Sequence, residues 1–197
     1  PEVTITGNPE NWTNKDATLH VKAKDDASGI EKVTITQVVD GKEESKDVNF
    51  TTNEDGSIDL DYTVDKNQTI KISVTDKAGN ITTKTIVVDK IDKEKPTLKA
   101  PTAVATTNTV TVTFNQTDAL SGIDEETIRY AIRKQGEDEW EIVQNSEKVN
   151  TFIKRTKDTL YEVKTIAKDK AGNEMESEIV TVRTLNLTEP LIRQNPE

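Results

Sequence analysis

The stretch Asp25-Asp26-Ala27-Ser28-Gly29-Ile30 appears again, slightly changed, as Asp118-Ala119-Leu120-Ser121-Gly122-Ile123. A second motif, Asp76-Lys77-Ala78-Gly79-Asn80, appears again without change as Asp169-Lys170-Ala171-Gly172-Asn173. Both pairs are separated by 93 positions, and in each copy 50 positions separate the glycine of the first motif from the glycine of the second. Two motifs that keep one offset and one interval indicate two copies of one architecture.

The repeat divides the 197 residues into two domains of ordinary size. The copies meet at a charged stretch, 89–96, which is typical of a short, fairly stiff linker because it ends in Pro96. Pro96-Thr97-Leu98 resembles Pro1-Glu2-Val3, and a proline at the start of an edge strand removes no ladder hydrogen bond. We therefore expect a first module over 1–94, a second over 95–187, and a linker to a next module over 188–197.

Short runs that alternate apolar and polar residues fill both modules, as expected of strands with one buried face. In the first module these runs cover 18–23, 31–36, 58–64, 69–74 and 82–88, with hairpin signals at Asp40-Gly41 and Asp55-Gly56. In the second they contain Val110, Val112 and Phe114, then Ile128, Tyr130 and Ile132, then Tyr161, Val163 and Thr165, and finally 179–182. The sequence predicts an all-β chain of two tandem immunoglobulin-like β-sandwiches with about seven strands each.

Composition argues against several functions. The net charge is −10, and each half is acidic, with 12 lysines against 19 acidic residues in 1–94 and 14 basic against 17 acidic residues in 95–197. A nucleic acid would be repelled by both halves. We expect no membrane insertion, because no apolar run approaches the roughly 20 residues that span a bilayer. The chain has no cysteine, and the absence of cysteine is frequent in exported bacterial domains. Thiol chemistry is therefore excluded.

The motifs resemble known families. Asp25 to Ile30 followed by Asp76 to Asn80 resembles the bacterial immunoglobulin-like repeats of Gram-positive surface proteins, over all of 1–94. The second module is similar to a fibronectin type III variant, although 109–114 lacks the tryptophan usual on the second strand of that family. The residues of this second resemblance are Tyr130 to Arg133, Trp140, Tyr161-Glu162-Val163, Asp169 to Asn173 and Thr184. Such families imply stalks, spacers or adhesive modules, or accessory domains of secreted carbohydrate-active enzymes, in an extracellular, cell-surface or secreted protein.

The repeated aspartates are the candidate site. In such a sandwich the loops after the second and sixth strands lie at one end, so the two motifs of each module should meet. One interpretation is structural, since Asp and Asn accept hydrogen bonds from backbone N–H groups and pin turns. The other is calcium, which prefers carboxylate and carbonyl oxygens, although no Asp-x-Asp-x-Asp-Gly loop is present. The candidate calcium ligands are Asp25, Asp26, Asp76, Asn80, Asp118, Asp169 and Asn173.

Other side chains offer little chemistry. Trp12 and Trp140 are candidates for binding a sugar or a protein partner, but we expect both to pack in the core, as most large aromatic residues do. His20 is the only histidine and should lie on a solvated face, and one histidine builds neither a His-based zinc site nor a Ser–His–Asp triad. Asp59 and Asp61 share one strand face, which we also expect to be solvated.

We therefore expect no enzyme, but a structural or adhesive spacer segment of a bacterial cell-surface or secreted protein. The alternative is an accessory module, carbohydrate-binding or spacing, of a secreted carbohydrate-active enzyme, and a phage or appendage component also fits. No cofactor is expected apart from calcium. The expected partner is an unidentified protein or polysaccharide that neighbouring domains bind, and the segment should be monomeric within a longer chain.

Overall fold

The structure is a computed structural model that describes residues 1–39 and 41–187. All regular secondary structure within these residues is β-strand. The chain divides into two compact units between Glu94 and Lys95. No helix of the described part is long and apolar enough to cross a membrane. The expected linker at 188–197 lies outside the described residues.

The first unit consists of two antiparallel sheets of four strands each, with the orders β1-β2-β6-β5 and β4-β3-β7-β8. Its strands are β1 (Glu2–Thr6), β2 (Ala17–Lys24), β3 (Ile30–Val39), β4 (Lys42–Val48), β5 (Thr51–Thr52), β6 (Ile58–Val64), β7 (Gln68–Asp76) and β8 (Ile81–Val88).

Period-two alternation builds the core of this unit. Leu19 and Val21 of β2 and Val33 of β3 are at most 1% exposed, and they belong to one hydrophobic cluster. Gly7, where β1 ends, has a positive φ of 89°, and a side chain there would place its Cβ 2.0 Å from the carbonyl oxygen of Thr18. Only glycine allows the chain to turn off β1 at this point.

The second unit has a three-stranded sheet of order β10-β11-β15 and a sheet of order β14-β13-β16-β17, in which β18 also pairs with β16. A short ribbon joins β9 to β12. The strands are β9 (Thr97–Leu98), β10 (Thr102–Ala105), β11 (Val110–Thr113), β12 (Gln116–Thr117), β13 (Ile123–Lys134), β14 (Glu141–Gln144), β15 (Val149–Phe152), β16 (Leu160–Asp169), β17 (Glu174–Glu176) and β18 (Val180–Arg183).

Two tyrosines organise the core of the second unit. Tyr130 is fully buried, its ring forms a T-shaped contact with the ring of Phe114 at a centroid distance of 6.4 Å, and its hydroxyl donates to the Glu147 carbonyl at 2.6 Å. Burial raises the pKa of Tyr130 to about 12. The Tyr161 hydroxyl accepts a hydrogen bond from the backbone N–H of Thr156 at 2.9 Å. This bond is the tyrosine corner of immunoglobulin-like sandwiches.

The alternating runs predicted from the sequence are confirmed, but the strands are more numerous than seven per unit. Within the described residues the first unit has eight strands and the second has ten, of which all but β13 and β16 have at most four residues. The last strand of the second unit is divided because Ser177 exchanges hydrogen bonds with Thr165 through both its backbone N–H and its hydroxyl. The chain resumes pairing at Val180, and Ile179, expected within the strand, is 49% exposed.

Candidate functional site: the paired aspartate loops

The loops that carry the two motifs meet in both units, as the sequence predicts. The backbone N–H of Lys77 donates to the Gly29 carbonyl at 3.0 Å, and that of Lys170 donates to the Gly122 carbonyl at 2.9 Å. The strand registers agree, since Ile30 pairs with Asp76 and Ile123 pairs with Asp169. We call the paired loops of each unit its loop junction.

Asp25 holds the first loop of the first junction. Its Oδ1 accepts hydrogen bonds from the backbone N–H of Ser28 at 2.7 Å, from the Ser28 hydroxyl at 3.1 Å and from the N–H of Gly29 at 3.1 Å. The Ser28 N–H is the main reason why the pKa of Asp25 lies below its ordinary value. The amino group of Pro1 lies 3.6 Å from the other carboxylate oxygen, Oδ2.

Asp76 holds the second loop and is 2% exposed. Its Oδ1 accepts from the backbone N–H groups of Ala78 at 2.9 Å and Asn80 at 2.8 Å, and its Oδ2 accepts from the Asn80 amide at 2.8 Å. The Asn80 side chain is the main cause that lowers the pKa of Asp76, while the negative charge of Asp25 acts in the opposite direction. The two carboxylates are therefore close enough to repel each other.

The second junction has the same plan. Asp118 Oδ1 accepts from the N–H groups of Leu120 at 3.1 Å and Gly122 at 2.6 Å. Asp169, 1% exposed, accepts from the Asn173 N–H at 2.9 Å and from the Asn173 amide at 2.7 Å. Oxygen atoms of the Asp118 and Asp169 carboxylates lie within 4.8 Å of each other. Within the described residues of this unit, no basic side chain forms an ion pair with either carboxylate.

Asp26 does not join the other candidate ligands. Its carboxylate lies 3.1 Å from the Lys24 ammonium and is 87% exposed. The six other candidate residues lie at the two loop junctions, where the aspartates act as acceptors for backbone and amide N–H groups. The hydrogen bonds of the two junctions hold the loop backbone in place.

The expectation that both tryptophans pack in the core is wrong. Trp12 and Trp140 are each half-buried, and neither belongs to the hydrophobic core of its unit. The ammonium of Lys90 lies 5.3 Å from the ring centroid of Trp12. The guanidinium of Arg133 and the ammonium of Lys164 lie 4.4 Å and 4.8 Å from the ring centroid of Trp140. Both rings are therefore held at the surface by cation–π contacts.

Trp140 is part of a charged layer on the outer face of β13 and β16. Arg133 pairs with Glu162 at 2.6 Å, and Lys164 pairs with Glu176 at 2.7 Å. Ala131 lies between the core residues Tyr130 and Ile132 and so faces outward, yet it is 0% exposed. The outer face is thus covered by side chains, and sequence alternation alone did not indicate this cover.

His20 lies where the sequence predicts, on a solvated strand face. Its Nδ1 is 2.6 Å from Asp61 Oδ1, and the two side chains are 55% and 68% exposed. The neighbouring Asp59 accepts a hydrogen bond from the Asn53 amide. A pair so open to water lacks the desolvated pocket that acid–base catalysis by a carboxyl group requires.

No protein-family model and no curated protein matches this chain. Solved structures do match it. A titin fragment comprising domains A168–A170 is 14% identical with a TM-score of 0.56, and the match covers 89% of this chain and 61% of that one. The FN1–FN3 domains of chicken CNTN1 are 14% identical with a TM-score of 0.39, covering 93% of this chain and 66% of theirs. This chain therefore spans less than two thirds of either fragment. At such low identity the titin match shows the fold alone, which is a tandem pair of immunoglobulin-like β-sandwiches.

Proposed function

We propose that this chain is a non-catalytic structural or adhesive spacer segment of a bacterial cell-surface or secreted protein. The observation that carries the proposal is the repeated loop junction. At corresponding positions of both units, the aspartates of the candidate site, Asp76 and Asp169, accept hydrogen bonds from residues of their own loops. In this proposal the segment is a monomer that holds neighbouring domains at a distance, and those domains bind the protein or polysaccharide partner.

The connection between the units supports a spacer. Backbone hydrogen bonds hold the chain on the first unit up to Asp92, and the first strand of the second unit begins at Thr97. Of the few residues between them, Pro96 has a fixed φ and is buried. Small-angle scattering of the whole chain tests the proposal. A profile that one fixed arrangement of the units fits supports a stiff spacer, and a profile that requires freely tumbling units contradicts it.

Calcium enters this proposal at the second loop junction. Two carboxylates within 4.8 Å repel each other, and the burial of Asp169 limits screening by water. A divalent cation bound by Asp118 Oδ2 and by the remaining lone pairs of the Asp169 oxygens would relieve this repulsion, and calcium suits carboxylate oxygens. Calcium at Asp118 and Asp169 would stiffen that loop end.

A further inference from the structure

The chain does not leave the first sandwich where its last strand ends. Beyond Val88, the end of β8, the backbone N–H of Thr13 donates to the Lys90 carbonyl at 2.9 Å, and the N–H of Asp92 donates to the Thr13 carbonyl at 2.8 Å. These bonds form a parallel bridge between Thr13 and Ile91. Ile91 is 4% exposed and belongs to the hydrophobic core of the unit. We call residues 89–94 the exit segment of the first unit.

One side chain completes this attachment. The amide of Asn67 donates through Nδ2 to the Ile91 carbonyl at 2.9 Å and accepts through Oδ1 from the Ile91 N–H at 2.8 Å. An asparagine amide has both a donor and an acceptor, so it can satisfy both backbone groups of one residue as a neighbouring strand would. Lys93 adds an ion pair with Asp16.

The second unit holds its exit at corresponding positions with different side chains. The N–H of Leu185 donates to the Thr106 carbonyl at 2.9 Å, and these residues follow Asp92 and Thr13 by 93 positions each. Thr184, the counterpart of Ile91, is 1% exposed, and its hydroxyl donates to the Thr156 carbonyl at 2.6 Å. The Thr184 hydroxyl also accepts from the N–H of Thr159 at 3.0 Å. The second of the two backbone hydrogen bonds is thus repeated, while the side chains that surround it differ.

We propose that Asn67 is an exit lock, which makes residues 89–94 a structural part of the first sandwich and confines the connection between the units to Lys95 and Pro96. Breaking the lock would leave the buried N–H and carbonyl of Ile91 without partners, which is unfavourable for backbone groups away from water. The role that we assign to the lock rests on the proposed spacer function, because a fixed exit matters in a chain of modules. The contacts themselves do not depend on that function.

Amide hydrogen exchange on the full chain, read residue by residue by NMR, tests the lock. In the wild type, the amides of Ile91 and Asp92 should exchange as slowly as those in the centre of β7. Asn67→Ala should raise exchange at Ile91 and Asp92 by about tenfold or more, because two hydrogen bonds are lost. Asn67→Asp keeps the acceptor for the Ile91 N–H and loses the donor, so its exchange at Ile91 should lie between the two. The amide of Leu185 in the second unit is the internal control and should not change.

Wild-type exchange at Ile91 as fast as at Lys95 would overturn the proposal without any variant, as would unchanged exchange at Ile91 in a folded Asn67→Ala chain. Trypsin gives a second readout, because release of the exit segment should speed cleavage after Lys90 and Lys93. A locked exit segment combined with freely tumbling units would refute the stiff spacer and leave the lock standing, so the two failures can be told apart.

Discussion

Asp76 and Asp169, 93 residues apart, close their loops with the same two hydrogen bonds. Each Oδ1 accepts from the backbone N–H of the asparagine four residues later, at 2.8 Å and 2.9 Å, and each Oδ2 accepts from the amide of that asparagine, at 2.8 Å and 2.7 Å. Both aspartates are at most 2% exposed. A buried carboxylate that accepts several N–H groups is a structural pin, and its removal leaves those donors without partners.

Replacing Asp169 with alanine should destabilise the second unit. The change removes the acceptors for the Asn173 N–H and amide, and hydrogen bonds to a charged group contribute about 1.5–3 kcal/mol each. We expect a loss of about 2–4 kcal/mol in the free energy of unfolding, measured by urea denaturation. Asp138→Ala, at an exposed position, is the matched control and should stay within about 0.5 kcal/mol of the wild type. Equal stability of the two variants would contradict the role of a pin.

Acid should weaken the first unit through Asp76. Its pKa in the folded state lies below the ordinary value of 3.8, chiefly because the Asn80 side chain donates to the charged form. A carboxyl group with a lowered folded pKa stabilises the fold above its unfolded pKa, and this contribution is lost as the pH falls through the folded pKa. The melting temperature of the wild type should therefore decrease as the pH is lowered below about 4.

Asp76→Asn is the control for this pH effect, because it keeps an oxygen acceptor for the backbone N–H groups and removes the titrating group. Its melting temperature should be lower than that of the wild type at pH 7, and the gap should narrow toward pH 3. A constant gap between pH 3 and pH 7 would show that the ionisation of Asp76 does not stabilise the first unit.

Calcium should raise the melting temperature of the second unit and a chelator should lower it. A ligand present at a hundred times its dissociation constant adds about 2.7 kcal/mol of stability. Asp118→Asn keeps the acceptor for the Gly122 N–H but removes the negative charge beside Asp169, so it should abolish the response. In chelator it should be at least as stable as the wild type, because the repulsion of Asp169 is gone.

The control for calcium is Asp26→Asn, since Asp26 is 87% exposed, pairs with Lys24 and belongs to the first unit and not to the second loop junction. This variant should respond to calcium like the wild type. Identical melting curves of the wild type in calcium and in chelator would remove calcium from the account and leave the aspartates as pins alone.

Trp140→Ala should lower the stability of the second unit, and we expect no glycan binding in either the wild type or the variant. The ring loses cation–π contacts with Arg133 and Lys164, each worth about 0.5–1 kcal/mol at an exposed site. A sugar stacks on a free aromatic face, and two cations already lie within 5 Å of this ring centroid. We expect no binding in a glycan array. Tight binding to one polysaccharide that Trp140→Ala abolishes would support the accessory module of a secreted enzyme instead.

Much of the fold could be predicted from the sequence because a half-buried strand has a period of two. The alternation of Leu19, Val21 and Ala23 corresponds to residues at most 2% exposed. The division of the last strand could not be predicted, because it depends on contacts between Ser177 and Thr165, twelve residues apart. The position of Trp140 was missed for a similar reason. Its contacts come from Arg133 and from Lys164 on another strand, and no local pattern shows them.

The candidate site was predicted in part. The topology expected of the sandwich indicated that the loops of each module meet, which the structure confirms through the Lys77–Gly29 and Lys170–Gly122 hydrogen bonds. The attachment of the exit segment had no such signal, since Asn67 and Ile91 are 24 residues apart and the second unit uses Thr184 instead. A function carried out by different residue types at corresponding positions does not appear as a sequence repeat.

The most direct test of the stiff spacer is ¹⁵N relaxation of the whole chain, which gives a rotational correlation time for each unit. The account predicts one shared correlation time for residues of both units. A variant with a Gly-Ser insertion between Lys95 and Pro96 is the control and should give two shorter times, because such linkers are flexible. Two short and separate correlation times in the wild type, like those of the insertion variant, would contradict the account.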